Sequence, residues 1–241
     1  MKGLTLQDIG EYVSQNVGGF HAARLKSLTS LELKTILARK NPYLFKAKNV
    51  LTSEALVKQI LDAHLSSQEE TLFGGFLEEL AIYICSQIYS GEKSAAEGID
   101  LEFTKDKIKY IVAIKSGPNW GNSSQIARMV DNFKKAKRIL KTNTSSKNIV
   151  AVNGCCYGRD NADKGDYVKY SGQAFWEFIS GDIGLYTELV EPLGYQAREK
   201  NDEFQKQYAT LINRFTSEFS KEFCSDGTIN WKKLVEMNSK E

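Results

Sequence analysis

Asp100 and Lys115 are the two residues whose chemistry is most suggestive. An acid and an ammonium at one site suit hydrolysis of a phosphodiester. That reaction needs a divalent cation held by carboxylates, a water directed at phosphorus, and a positive group near the developing charge. Asp100 would hold the cation, and Lys115 would orient the water or help deprotonate it. Fourteen residues lie between the two, so they meet only if the chain doubles back. Gly98 to Phe103 (GIDLEF) and Lys109 to Ile114 (KYIVAI) read as two β-strands turned at Lys105 and Asp106. Such a hairpin sets the start of one strand beside the end of the next. The same pair could also be no more than a surface ion pair.

The surrounding elements must hold this hairpin. Helices are expected over Leu4 to Asn16, His21 to Lys40 and Ser53 to His64, with a longer one after Ser67, where Ser67 and Glu70 form a capping-box signature. In that last helix Phe73, Leu77, Leu80, Ala81, Ile84 and Ile88 recur at helical spacing and form the expected buried stripe. After the hairpin come a Gly/Pro/Asn/Ser loop over 116–124, a basic helix from about Gln125 to Leu140, and a strand over Asn148 to Cys155. Strand, helix, strand implies a right-handed crossover within one sheet. Beyond a polar, glycine-rich loop, Phe175, Trp176 and Phe178 read as core. Phe204, Tyr208, Leu211, Phe215 and Phe219 then mark an amphipathic helix, followed by Ile229, Trp231 and Leu234. The expected class is α/β: a mixed central sheet flanked by helices, in a single domain over 1–241. It would divide into a helical N-terminal part (1–65), a core (66–181) and a helical C-terminal part (182–241).

Composition narrows the alternatives. With 241 residues, 41% hydrophobic and 26% charged, the chain is not disordered, collagen-like or coiled-coil. No apolar run nears the roughly 20 residues of a membrane span, and the N-terminus MKGLTLQDIG carries no signal-peptide core. A cytoplasmic protein without a membrane partner is expected. The cysteines (Cys85, Cys155, Cys156, Cys224) lack zinc-type spacing and read as reduced thiols, and two histidines are too few for a histidine-based metal site. Net charge is only +2, yet residues 104–148 carry eleven basic side chains, Lys147 among them, against the acidic Asp106 and Asp131. A basic stripe beside carboxylates suits a polyanionic substrate. A solvated helix face is the competing reading.

Gly98-Ile99-Asp100 followed by Ala113-Ile114-Lys115 is similar to the signature of the PD-(D/E)xK nucleases, with one departure: the position two before the lysine is Ala113 rather than an acid. Either the second carboxylate is absent, or it has migrated to another element, or an acid has been replaced by alanine. The helix after Ser67 offers Glu78 and Glu79. With Leu77 at zero on the helical wheel, Glu78 falls at about 100° beside Ala81 and Cys85, and Glu79 at about 200° faces away. Glu78 is therefore the expected ligand. Gly74-Gly75-Phe76-Leu77-Glu78 also resembles the glutamate-bearing first helix of that superfamily. Glu102, on the same strand face as Asp100, is held in reserve, with Asp131 behind it.

Ser116, Asn119, Trp120, Asn122, Ser123 and Gln125 populate the loop that leads from the lysine into the basic helix. Their amides and hydroxyls, with an aromatic among them, could bond phosphates or base edges at a helix N-terminus. Arg159 could pair with guanine, Asn161 or Gln173 with adenine, and Lys164 lies in the same stretch.

On these blocks the chain resembles type II restriction endonucleases of the PD-(D/E)xK superfamily, and in particular a PmeII-like group. The shared text is SSQEETLFGGFLEELAI, GIDLEF, IKSGPNWGNSSQ, GCCYGRD, KGDYVKYSGQAFWEFISG and FCSDGTINWKKLV. The resemblance implies a nuclease core and carries Asp100 over as a Mg²⁺ ligand and Lys115 to the nucleophile, but not the glutamate, because of Ala113; Glu78, chosen by helical phase, and the Ile114 carbonyl are the further expected ligands. The resemblance also implies cleavage of double-stranded DNA at a short recognition site to 5′-phosphate ends, by a homodimer, with a companion methyltransferase acting on the same site. A structure-specific repair nuclease on the same core is one alternative, and a catalytically silent DNA-binding module is the other.

Overall fold

The computed structural model describes residues 4–143 and 148–240, so Lys147 of the basic stripe lies outside the described residues. The chain opens with α1 (Leu6–Thr29), α2 (Leu33–Leu37), α3 (Pro42–Ala47) and α4 (Ser53–Tyr89). Two expected helix breaks are absent. Gly18 and Gly19 stay within α1, with nothing within 4 Å of where a Cβ would stand. The helix instead ends at Thr29, next to hydroxyls that turn back on its last carbonyls: Thr29 Oγ1 on Leu25 and Ser30 Oγ on Ser27. Ser67 caps nothing. It lies inside α4, and its carbonyl accepts the Thr71 hydroxyl at 3.1 Å, so the Ser67/Glu70 signature has no free amide to serve.

Next come β1 (Glu92–Lys93), β2 (Leu101–Lys105) and β3 (Ile108–Lys115). The hairpin forms as expected, but its turn is Asp106–Lys107, with φ of 51° and 63°. Two positive φ values in a two-residue loop define a type I′ turn, whose twist matches that of the strands it joins. α5 (Ser123–Asn143) then crosses to β4 (Ile149–Cys155), which pairs parallel with β3. The polar stretch expected as loop holds β5 (Ala162–Asp163) and β6 (Val168–Ser171), and β6 runs parallel to β4 with Val168 opposite Val152. The sheet order is β1-β2-β3-β4-β6-β5. The chain continues through α6 (Gln173–Ser180), α7 (Leu185–Glu188), α8 (Val190–Leu193), α9 (Ala197–Phe223), β7 (Cys224–Ser225), β8 (Thr228–Ile229) and α10 (Trp231–Ser239).

Two compact units emerge. One comprises Met1–Gly18 and Phe73–Tyr195, the other Gly19–Leu72 and Gln196–Glu241. In the first, strand alternation sorts side chains onto two faces of the six-stranded sheet. Leu101, Phe103, Val112, Ile114 and Val152 meet the α4 stripe and the Phe175 and Trp176 rings of α6. Ile111, Ala113, Ile149 and Ala151 meet Met129, Phe133 and Ala136 of α5. The second unit is helical apart from the β7–β8 hairpin, and its core includes Leu28, Leu56, Leu61, Phe204, Phe215 and Phe219. No helix among the described residues is long and apolar enough to cross a membrane.

The cysteines are free thiols, and Cys85, Cys155 and Cys156 are buried. Burial pushes Cys85 and Cys156 up to about 12, so both stay protonated and unreactive near neutral pH. Only Cys224 is partly exposed. A colorimetric thiol reagent is therefore expected to titrate no more than Cys224 in the folded protein and every thiol in denaturant. Rapid native labelling of the three buried residues would contradict this packing.

Candidate active site

Asp100 stands one residue before β2. Its N–H donates to the Val112 carbonyl at 2.9 Å, which extends the antiparallel ladder and sets Asp100 across from Ala113. Its Oδ2 accepts the Ile114 N–H at 2.6 Å and lies 3.8 Å from the Lys115 ammonium. The expected acid–ammonium meeting is present, with both side chains only partly exposed. Gly98 feeds this strand at φ 73°, where a Cβ would also run into Asn132. Gly98→Ala is expected to cost roughly 1–3 kcal/mol of stability, read as a lowered unfolding midpoint. An unchanged midpoint would mean that the turn before Asp100 relaxes freely.

The candidate second acid separates cleanly from its neighbours. α4 approaches the end of β3 at Gly74, where a Cβ would stand 3.3 Å from Ser116 Cβ. Glu78 is one helical turn further on the same face. Burial and the charge of Asp100 hold the Glu78 carboxyl above the usual carboxylate range, while Lys93 and Lys115 pull the other way. Lys93 Nζ lies 3.9 Å from Glu78 Oε1. Glu78 thus shares an electrostatic site with Asp100 and Lys115. Glu79 is exposed; its charge acts on Tyr12 and is the last and smallest of the influences on Glu78. Glu102 is already engaged, 2.9 Å from Lys109 Nζ and accepting the Ser94 hydroxyl at 2.5 Å. Asp131 lies on the exposed side of α5.

Among the described residues no three His, Cys, Asp or Glu side chains gather into a metal cluster. The neighbouring carboxylates of Asp100 and Glu78 nevertheless suit a small hard dication by their chemistry. Mg²⁺ is commonly held through one or two carboxylates, with its remaining positions filled by water and phosphate oxygens. A cation bound there would offset both causes that lift the Glu78 carboxyl, its burial first and the charge of Asp100 second.

The loop after Lys115 is clamped from several sides. A Cβ on Gly117 would fall on the Tyr157 ring, and Gly158, at φ 111°, leaves room for Pro118. Lys169 Nζ donates to the Pro118 carbonyl at 2.9 Å and to Asp160 Oδ2 at 2.7 Å. Ser116 is half-buried against Gly74, while Asn119 and Ser123 are exposed. Asn122 and Gln125 bond each other reciprocally: Gln125 N–H donates to Asn122 Oδ1 at 3.0 Å, and Asn122 N–H to Gln125 Oε1 at 2.9 Å. This is a capping box on α5, which gives both side chains an internal task. Trp120 turns inward, with its indole N–H on Asn153.

Arg159, Asn161 and Gln173 line a groove of about 700 Å³ together with Glu177, Ile183 and Tyr186. Gln173 donates to the Ile183 carbonyl at 3.2 Å, and Asn161 Oδ1 accepts the Ser171 N–H at 2.6 Å. Lys164 is exposed on the preceding turn. The basic stripe is not one surface. Lys109 pairs with Glu102, Lys134 with Asp166 at 3.3 Å, and Arg128 with Glu97 at 3.0 Å, whereas Lys135, Arg138 and Lys141 are exposed on α5. Asn153 and Lys169 escaped the sequence reading. A lone Asn in the apolar run IVAVNGC was the available signal, since a buried amide demands partners.

A family model described as type II restriction endonuclease EcoO109I matches residues 7–201. No curated protein matches the sequence.

Proposed function

The chain belongs to the type II restriction endonuclease EcoO109I family, and from that premise we propose that Asp100, Glu78 and Lys115 hydrolyse double-stranded DNA with Mg²⁺ at a short recognition site. Membership makes the protein a nuclease of a restriction system, with DNA as its substrate and sequence-specific cleavage as its reaction. The observation that carries the finer reading is the meeting of Asp100 with Lys115 and the Ile114 N–H across the hairpin end.

Asp100 and Glu78 would hold the cation with the Ile114 carbonyl. When bound, Mg²⁺ supplies positive charge against the phosphate oxygens and favours ionisation of a water. The Ile114 N–H fixes the Asp100 carboxylate in one orientation. The Lys115 ammonium orients the attacking water and stabilises charge as phosphorus becomes five-coordinate. Water attacks directly and the 3′ oxygen leaves, which gives 5′-phosphate and 3′-hydroxyl ends without a covalent enzyme intermediate. Arg159, Lys164 and Gln173 are the proposed base and phosphate contacts from the groove side, with Ser116, Asn119 and Ser123 on the loop side. Asn122 and Gln125 would act there by holding that loop's shape, and Trp120, bonded to Asn153, would not contact DNA. The catalytic core lies within residues 66–181, the enzyme acts in the cytoplasm as a homodimer, and a methyltransferase of the same specificity protects host DNA. A PmeII-like grouping within the family rests on the sequence blocks quoted above.

Ala113 favours a second reading, a DNA-binding module without catalysis. A panel of plasmids incubated with and without Mg²⁺ separates the two. Discrete fragments are expected from a restriction enzyme, and bound but intact plasmid from the silent module. Cuts that track nicks or branches rather than sequence would instead indicate a structure-specific repair nuclease.

A further inference from the structure

We propose that Trp120, anchored by the buried amide of Asn153, is the positioning residue of Lys115; this rests on the nuclease reading above. Lys115 ends β3 on a flexible four-carbon stem, so its strand alone does not fix where the ammonium stands. That ammonium lies 5.4 Å from the centroid of the Trp120 ring and 3.8 Å from Asp100 Oδ2. An aromatic face attracts an ammonium within about 6 Å of its centroid. The ring is itself held, because its Nε1–H donates to Asn153 Oδ1 at 3.1 Å. Asn153 in turn donates Nδ2–H to the Ala113 carbonyl at 3.1 Å, and it is 1% exposed. A buried amide bonded through both its oxygen and its nitrogen has a single orientation.

Strand register explains the reach. Ala113 pairs with Asn153 and Lys115 with Cys155, so Asn153 shares the sheet face of Lys115, two residues back along the neighbouring strand. A connected path therefore runs from the β3 backbone through Asn153 and Trp120 to the ammonium. The loop that carries Trp120 is clamped at Ser116, Gly117 and Pro118, as described above, so the ring cannot drift with it. At Ala113, where the superfamily signature has an acid, the residue across the strand is this Asn153.

The test compares single-turnover cleavage by the full chain in Mg²⁺ with DNA affinity measured without it. Trp120→Ala is expected to slow cleavage about 100-fold while leaving affinity within about threefold. Trp120→Phe keeps a ring face but has no N–H for Asn153, so it is expected to recover only part of the rate. Asn153→Leu, which keeps the indole but frees it, is expected to lose a comparable part. Trp120→Ala cutting at the wild-type rate would overturn the proposal, and so would a loss of affinity matching the loss of rate, which would make Trp120 a DNA contact. If Trp120→Ala fails to fold, a wild-type rate in folded Asn153→Leu overturns the anchoring. Lys115→Ala is the control. If it still cuts, the nuclease centre itself falls and the proposal with it; if it is dead while Trp120→Ala is fully active, only the positioning role fails.

Discussion

Lys115→Ala is expected to lower DNA cleavage about 10³-fold or more while the protein still binds its site. The ammonium stands at the hairpin end, 3.8 Å from Asp100, and on the proposed mechanism it would face both the attacking water and the developing charge. Neither task is needed to hold DNA in the ground state, so the loss should fall on the cleavage rate rather than on affinity. Lys115→Arg is expected to rescue little, because the longer, planar guanidinium carries its charge past the point where the ammonium stands 3.8 Å from Asp100. Rates from quenched-flow cleavage and affinities from fluorescence anisotropy would separate the two effects. Full activity in Lys115→Ala would remove the lysine from the chemistry.

Glu78→Gln is expected to slow cleavage by roughly 10²–10³-fold and to raise the Mg²⁺ concentration that gives half-maximal rate. The side chain keeps its shape and loses its charge, so a fold defect should not confuse the result. Without metal, the variant should bind DNA as tightly as the parent or more so, since one negative charge facing the phosphates is gone. Glu79→Gln, on the exposed side of α4, is expected to cut at the parental rate. The opposite ranking would move the second carboxylate from Glu78 to its neighbour. Wild-type activity in both would return attention to Glu102, whose present partners are Lys109 and Ser94.

What the sequence made legible follows from periodicity. Strand alternation placed Asp100 and Lys115 at one hairpin end, and helical phase separated Glu78 from Glu79. Both are properties of a few neighbouring residues. Helix continuity was not legible in the same way. Gly18-Gly19 and Ser67 look like stops, but the amides there already have helical partners, and the long helices run on through them. β6 was hidden because so short a segment forms only by pairing on both sides, with β4 and with β5. The same holds for Trp120 and Gln125. Their types suggested DNA contacts, while long-range packing on Asn153 and a local cap on α5 engage them within the protein. Asn122-x-x-Gln125 did carry a capping signature in the sequence, and the polar, glycine-bearing context drew it toward recognition instead.

The most direct test of the nuclease centre is incubation of the purified protein with unmethylated phage or plasmid DNA, in Mg²⁺ and in EDTA, with the new ends mapped by sequencing. Fragments that appear only with Mg²⁺, share one short motif at their ends and carry 5′-phosphates are the expected result. DNA left intact by a protein that still binds it in a salt-sensitive manner would contradict a working centre at Asp100, Glu78 and Lys115.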